Sequence, residues 1–314
     1  MLFRKITTRI EEYLSSDSDR MLLIDGARQI GKSYIIRYVG EKMFPNYIEI
    51  NMEEDKLGDR VFAEAKTTKD FYMALSVVAG DRMKQRENTL VFIDEIQAYD
   101  HLLTLVKFLM KEKKFTYIAS GSLLGVTLKN TQSVPMGSLN IQHMYPMDFE
   151  EFLYANGVGE FAVGSMRESF NKQEALSEAM HNKLMDLFKK YLLVGGLPKA
   201  VETFVESRNV VEFRSIQKEA HDLYGVDAIK YEEEHDRKLK IRRIFDMIPL
   251  KKEVKAEISG IYMTGVKGIR GSLEVPTKKE GFIKRIRRKA QDVTEKAAKE
   301  NLKNDQNKKN GKKK

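Results

Sequence analysis

The segment from Leu22 to Gly40, LLIDGARQIGKSYIIRYVG, limits the folds open to this chain more than any other part of the sequence. It contains the pattern G-x-x-x-x-G-K-[ST], preceded by an apolar run and followed by apolar residues at helical spacing. Glycines in such a loop let successive backbone N–H groups point at phosphate oxygens, and the N-terminus of the following helix adds positive potential. The segment therefore predicts a phosphate-binding loop between a β-strand and an α-helix.

Every residue from Gly26 to Tyr34 is a candidate nucleotide contact. Lys32 can bring a mobile charge to the β- and γ-phosphates and take part in catalysis, and the Ser33 hydroxyl can bind Mg²⁺. The other candidates in this stretch are Gly26, Ala27, Arg28, Gln29, Ile30, Gly31 and Tyr34. Arg28 and Gln29 have an alternative role, in which they support the loop or pair with a carboxylate such as Asp25.

A second apolar run, Leu90–Ile93, ends in the two carboxylates Asp94 and Glu95. Ligands of open α/β sheets bind at the carboxyl ends of the strands, so both residues are expected near the phosphate loop. Asp94 is the candidate that orients Mg²⁺, and Glu95 is the candidate general base. Asp94 lies 62 residues after Lys32, which leaves room for one intervening strand and favours the AAA+/RecA-like layout. The alternative is a buried strand that ends in solvated surface charge.

A third apolar run ends in ASGS, which places Ser120 and Ser122 after a strand. Either hydroxyl could hold the attacking water, and a simple Ser-Gly turn is an equal alternative. Gln97 could help to place Glu95 or could be an exposed polar residue. The sequence marks none of its many arginines as an arginine finger, which a neighbouring subunit can also supply.

The hydrophobic pattern divides the chain into three parts. Residues 1–145 alternate short apolar runs with amphipathic segments, which predicts an AAA+/RecA-like P-loop core with a five-stranded, mostly parallel sheet. Residues 146–254 have helical periodicity, and residues 255–314 form a weakly structured basic tail. The predicted strands are Met21–Asp25, Tyr47–Asn51, Leu90–Asp94, Phe115–Ser120 and Asn140–Tyr145, and the predicted core helices are 32–43, 68–86 and 100–113.

Charge is concentrated at the C-terminal end of the chain. Residues 278–314 hold fifteen Lys and Arg against five Asp and Glu, whereas residues 1–277 hold 40 basic and 41 acidic residues. The tail could bind nucleic-acid phosphates or an anionic membrane surface, and DNA is the partner we expect if it binds at all. The chain has no cysteine, no apolar run of 18 residues and no signal-like start, so we expect a cytoplasmic protein without a membrane partner.

Five motifs together resemble a family of prokaryotic AAA-type ATPases. They are GARQIGKS, DEIQ at Asp94–Gln97, ASGSLL, YPMDFEEFL and VGGLPKAV, and they occur in this order within residues 1–250. The resemblance implies ATP binding with Mg²⁺ and ATP hydrolysis, and it is compatible with a homo-oligomer. The family joins this core to a C-terminal domain of unknown function that resembles restriction-endonuclease-like folds.

The sequence departs from that family pattern in two places. Ser33 stands where threonine is usual, which keeps the hydroxyl. After about residue 254 the chain turns into glycine- and lysine-rich sequence, so we expect a truncated, frameshifted or rearranged member in which the C-terminal domain is missing or replaced.

Two functions follow from these observations. The first is a Mg²⁺-dependent ATPase that couples hydrolysis of ATP to a change between the core and the helical region. The alternative is a nucleotide-gated binding module, or a remnant that does not hydrolyse ATP, which engages DNA or a protein. Glu95 separates the two, because a switch without turnover does not require a base.

Overall fold

The computed structural model describes residues 2–84, 88–122, 136–230, 232 and 234–247. Five strands form one sheet: β1 (Met21–Asp25), β2 (Asn46–Asn51), β3 (Thr89–Asp94), β4 (Thr116–Gly121) and β5 (Leu139–His143). The helices of the core are α1 (Ile6–Leu14), α2 (Lys32–Met43), α3 (Met52–Leu57), α4 (Thr68–Ala79) and α5 (Asp100–Glu112). Short 3₁₀ turns span Gly80–Lys84, Ile96–Ala98 and Met136–Ser138.

The sheet has the order β2-β3-β4-β1-β5, and every pairing in it is parallel. The predicted α/β core is confirmed, and the sheet is wholly parallel instead of mostly parallel. The strand between β1 and β3 is β4, which comes later in the chain, whereas β2 lies at the edge. The carboxyl ends of β1 and β3 therefore face each other across the end of β4.

The core lies on both faces of the sheet because successive strand residues point to opposite sides. Met21 and Leu23 of β1 pack on the face covered by α4 and α5, and Leu22 and Ile24 pack on the face of α1 and α2. All six residues of β3 are buried. Such strands appear as continuous apolar runs, which is why the sequence predicts their positions closely.

Two element boundaries differ from the prediction by more than one residue. The helix predicted over 68–86 ends at Ala79, because Gly80 takes a positive φ of 54° and the chain continues as a 3₁₀ turn. Strand β5 ends at His143 instead of Tyr145. The Tyr145 carbonyl accepts a hydrogen bond from Arg4 Nη2 at 2.6 Å.

After residue 146 the described chain is helical. The helices are α6 (Phe149–Ala155), α7 (Glu160–Lys172), α8 (Glu178–Val194), α9 (Pro198–Ser207), α10 (Val210–Ile229) and α11 (His235–Met247). Asp148 caps α6 in a capping box with Glu151, and Pro198 opens α9. Helices α6, α8, α9 and α10 share a separate cluster of buried side chains that includes Phe152, Phe204 and Phe213.

No helix in the described ranges is long and apolar enough to cross a membrane. The predicted basic tail, residues 255–314, lies outside the described residues.

Candidate active site

The phosphate loop connects the carboxyl end of β1 to the N-terminus of α2. Gly31 caps α2 with a φ of 91°, and Gln29 also has a positive φ, of 62°. A Cβ atom on Gly26 would lie 2.4 Å from the carbonyl oxygen of Met144, just after β5. Glycine is thus required at Gly26 for close packing and at Gly31 for a left-handed turn.

Lys32 is the buried cation of this loop. Its side chain folds back so that Nζ donates hydrogen bonds to the carbonyls of Gly26 and Ala27, both at 2.9 Å. Only 5 % of the residue is exposed, and burial lowers the pKa of the ammonium although Glu95 and Asp94 oppose this effect. The lysine therefore places its charge over the first turn of the loop.

Asp94 at the end of β3 joins the loop to the sheet. The Ser33 hydroxyl donates to Asp94 Oδ2 at 2.8 Å, and the Ser120 hydroxyl donates to Asp94 Oδ1. Asp94 is 5 % exposed, and burial raises the pKa of its carboxyl while the two hydroxyl donors act in the opposite direction. Ser33 and Ser120, which the sequence placed on separate elements, thus both contact the carboxylate of Asp94.

Glu95 has its own pair of donors. The residue takes a left-handed φ of 50°, and its carboxylate accepts hydrogen bonds from Ser122 Oγ at 2.9 Å and from Gln97 Nε2. The two serines that the sequence left equivalent therefore differ: Ser120 contacts Asp94, whereas Ser122 contacts Glu95. Gln97 lies against Glu95, which is the first of the two roles considered for it.

The remaining loop candidates face different surroundings. Ile30 is fully buried in the core, and Tyr34 is 57 % exposed. Arg28 pairs with Glu53 and Asp227, whereas Asp25 pairs with His143 at 2.9 Å. The Arg28 side chain thus contacts carboxylates other than Asp25.

A cavity of about 510 Å³ adjoins the loop on the side of Gln29 and Gly31. Its size falls in the range of small-molecule sites in proteins. It is lined by Leu2, Arg4, Gln29, Gly31, Tyr34, Ile35, Leu197, Pro198, Lys199, Glu202, Ile216 and Glu219. The core and the helical region both contribute, so the cavity depends on how α9 and α10 pack against the loop. The segment at Pro198 is thus a helix joint that also lines this cavity.

Arg4 is a residue of this region that the sequence analysis missed. Its guanidinium donates to the carbonyl of Ile30 at 2.7 Å and lies 3.3 Å from Glu151. Both charged residues are buried. Arg4 belongs to no motif, and its partners are 26 and 147 positions away in the chain. Only the three-dimensional structure therefore shows that Arg4 links the loop to α6.

Comparison with protein families gives two matches. Residues 18–153 match the family model described as AAA domain. Residues 185–268 match a model described as a domain of unknown function (DUF8612). A comparison with curated proteins gives no match. The first match spans the loop Gly26–Ser33 and all five strands of the parallel sheet, so this part of the chain is similar to an AAA domain.

Several solved structures are similar to the chain at low sequence identity. The Walker-type ATPase PABY2304 of Pyrococcus abyssi is 19 % identical with a TM-score of 0.41, and the match covers 72 % of this chain and 73 % of that one. AMPPCP-bound DnaA from Aquifex aeolicus is 10 % identical with a TM-score of 0.38 and 77 % coverage of both chains. PCH-2 of C. elegans is 12 % identical with a TM-score of 0.38, covering 70 % of this chain and 68 % of that one.

The restriction-endonuclease-like C-terminal domain of the resembling family finds no support in these matches. The model that matches this part of the chain is the domain of unknown function, and it runs across the predicted boundary at residue 254. The domain limits at 145 and 254, and the truncation of a C-terminal domain, stay predictions.

Proposed function

We propose that this protein binds ATP on the loop Gly26–Ser33 and hydrolyses it to ADP and phosphate with Mg²⁺. The observation that carries the proposal is the 2.8 Å contact between Ser33 of the loop and Asp94 of β3. It places a hydroxyl and a carboxylate side by side at the N-terminus of α2, with the Lys32 ammonium on the same loop. This combination of groups suits a nucleoside triphosphate and its metal ion.

The residues of the loop bind the phosphates. Backbone N–H groups and the N-terminus of α2 face the triphosphate, and Lys32 exchanges its two carbonyl partners for β- and γ-phosphate oxygens. Ser33 and Asp94 would hold Mg²⁺, because both supply oxygen ligands and the Asp94 carboxylate is otherwise a costly buried charge. When bound, Mg²⁺ neutralises charge on the phosphates and helps to orient them.

Glu95 is the proposed general base. Ser122 and Gln97 fix its carboxylate, which can accept further hydrogen bonds because a carboxylate offers about four lone-pair sites. A water held by Glu95 attacks the γ-phosphorus and passes its proton to this carboxylate. The new P–O bond forms as the bond between the γ-phosphorus and the bridging oxygen breaks, which leaves ADP and phosphate.

The cavity beside the loop is the proposed site of the nucleoside. Leu2, Leu197 and Ile216 offer apolar surface to a flat base, and Gln29 and Tyr34 supply polar groups at its side. Leu197 and Ile216 come from the helical region, so a nucleoside in the cavity would contact that region and could change how α9 and α10 pack against the core. This arrangement supports the coupling of ATP binding to a conformational change.

The proposal is tested by steady-state ATP hydrolysis of the purified protein with Mg²⁺, with and without duplex DNA. We expect turnover by the wild type, loss of nucleotide binding in Lys32→Ala, and retained binding in Glu95→Gln with turnover reduced by about 10² to 10⁴. Lys66→Ala, on the exposed surface, is the matched control. Unchanged nucleotide affinity in Lys32→Ala would overturn the assignment of the loop.

The second candidate is the nucleotide-gated module, and the contacts of Arg28 with α10 favour it as much as they favour an ATPase. Tight ATP binding with no turnover, and Glu95→Gln indistinguishable from the wild type, would select this candidate. Stimulation of turnover by duplex DNA would support the proposed role of the basic tail.

A further inference from the structure

Four charged side chains surround the outer side of the phosphate loop. Arg28 Nη2 lies 3.0 Å from Glu53 at the start of α3, and Arg28 Nε lies 3.4 Å from Asp227 in the last turn of α10. Lys230, just after α10, lies 3.2 Å from Glu53. The network therefore joins the loop, the core and the helical region through alternating charges.

The same helix also contacts the backbone of Arg28. The hydroxyl of Tyr224, in α10, donates a hydrogen bond to the Arg28 carbonyl at 2.7 Å. Tyr224 and Asp227 are three positions apart and thus lie on one face of the helix. One residue of the loop is therefore held twice, at its carbonyl and at its guanidinium, by a segment 196 positions later in the chain.

Burial makes these contacts costly to break. Asp227 is 7 % exposed, so its carboxylate depends on a nearby cation, and Arg28 is the cation beside it. Arg28 Nε is itself buried without a hydrogen-bond partner, so the ion pair with Asp227 is what offsets its loss of water. Burial also raises the pKa of Tyr224, which keeps the hydroxyl protonated as a donor.

We propose that α10 positions the phosphate loop through Tyr224 and Asp227, and that this contact sets the affinity of the loop for nucleotide. The second half rests on the proposed function. Arg28 lies two residues before Ile30 and four before Lys32, so its backbone determines where the N–H groups of the loop point. Tyr224 and Asp227 act as positioning residues, because they reach the nucleotide through the loop.

Reciprocity follows from this arrangement. If the position of α10 changes the affinity for a triphosphate, then binding of the triphosphate shifts the position of α10 by the same factor. The triphosphate adds negative charge beside Arg28 and competes with Asp227 and Glu53 for the guanidinium. Binding of phosphates at the loop would thus change the contacts that hold α10 to Arg28.

The test compares Tyr224→Phe and Asp227→Asn with Tyr191→Phe. Tyr191 is the matched control because its hydroxyl also donates to a backbone carbonyl, that of Met147 at 3.0 Å, away from the loop. Hydrogen–deuterium exchange of the peptide covering residues 26–32 is measured without nucleotide, and the Kd of a fluorescent ATP analogue is measured with Mg²⁺. Thermal melting establishes that each variant is folded.

We expect faster exchange of the loop peptide in Tyr224→Phe and Asp227→Asn, and a Kd for the analogue raised about 3- to 10-fold. In both variants kcat should stay within about twofold of the wild type, because Asp94 and Glu95 are untouched. Tyr191→Phe should match the wild type in loop exchange, in Kd and in kcat.

Loop exchange that is unchanged in both variants, or changed equally in Tyr191→Phe, would overturn the inference. Faster loop exchange with an unchanged Kd would overturn the link to affinity. A wild type that binds no nucleotide would instead overturn the proposed function, and the exchange measurement would then decide alone whether α10 positions the loop.

Discussion

The hydroxyl of Ser120 donates a hydrogen bond to the buried carboxylate of Asp94, from the end of β4 to the end of β3. Ser33 approaches the same carboxylate from the other side, out of the loop that follows β1. Asp94 is thus oriented by one residue of the neighbouring strand and one residue of the phosphate loop. The contacts of this carboxylate lead to the first two predictions.

Replacement of Ser120 by alanine should slow turnover and leave nucleotide affinity nearly unchanged. Loss of the hydrogen bond frees one oxygen of Asp94, a change worth about 1 to 2 kcal/mol, so kcat should fall roughly tenfold. The measurement is steady-state hydrolysis together with the Kd for ATP. Ser76→Ala, in which an exposed hydroxyl bonded within its own helix is removed, is the control. A wild-type kcat in Ser120→Ala would contradict the assigned role.

Asp94→Asn should become more stable relative to the wild type as the pH rises. Burial raises the pKa of Asp94 above its value in the unfolded chain, so its contribution to stability is present at low pH and is lost as the pH rises through the folded-state pKa. Asparagine cannot ionise and avoids this loss. Urea unfolding between pH 4.5 and 7.5, in EDTA without nucleotide, measures the difference.

Asp148→Asn supplies a control of opposite sign. Although burial opposes it, the hydrogen bonds from Lys5 and from the Glu151 backbone lower the pKa of Asp148. Its contribution to stability is present above the unfolded pKa of about 3.9 and is lost as the pH falls below it. This variant should therefore lose stability relative to the wild type as the pH rises from about 2.5 to 4.5, and should show no trend at higher pH, where the carboxyl is ionised in both states. The same pH trend in both variants would be inconsistent with the burial of Asp94.

Two glycines should respond to alanine in opposite directions. A Cβ on Gly196 would lie 2.2 Å from the Met147 carbonyl oxygen, so Gly196→Ala should cost about 1 to 3 kcal/mol of unfolding free energy. Gly164, within α7, has no atom within 4 Å of such a Cβ apart from its chain neighbours and the backbone of its own helix, and Gly164→Ala should add about 0.5 to 1 kcal/mol. Chemical denaturation of both variants is the measurement. A stable Gly196→Ala would show that the joint between α8 and α9 tolerates side chains.

Breaking the buried ion pair of Arg4 and Glu151 should lower the free energy of unfolding far more than breaking an exposed ion pair. Arg4→Met leaves the Glu151 carboxylate without its guanidinium partner and should cost about 3 kcal/mol. Arg9→Met removes an exposed ion pair with Glu12 and should cost less than about 1 kcal/mol. Unfolding in urea distinguishes them, and equal losses in the two variants would argue against the buried tie.

The sequence could predict the parts of the site that have a local pattern. The loop Gly26–Ser33 and the apolar strand that ends at Asp94 each occupy a short segment whose residue types carry the chemistry, and the structure brings them together. The sheet was predictable for the same reason, since a strand buried on both faces must be apolar along its length.

The rest depends on contacts between distant segments. Arg28 meets Asp227, and Leu2 lines the same cavity as Ile216, yet nothing in a single sequence pairs such ordinary residues. The strand between β1 and β3 was not predictable from chain order either. The position of β4 in the sheet depends on the packing of all five strands. The number of residues between two motifs shows only which segments lie between them in the chain, and not which strand lies between them in the sheet.

The insertion of β4 between β1 and β3 has a consequence for biosynthesis. Because β1 and β3 pair with β4 and not with each other, a nascent chain that ends before residue 115 already carries Lys32, Ser33 and Asp94 but lacks the strand that sets their spacing. Parallel pairings between distant segments form slowly. The ability to retain a nucleotide should therefore emerge only after translation has passed β4, and a ligand in the folding medium would favour chains in which that strand has already been inserted.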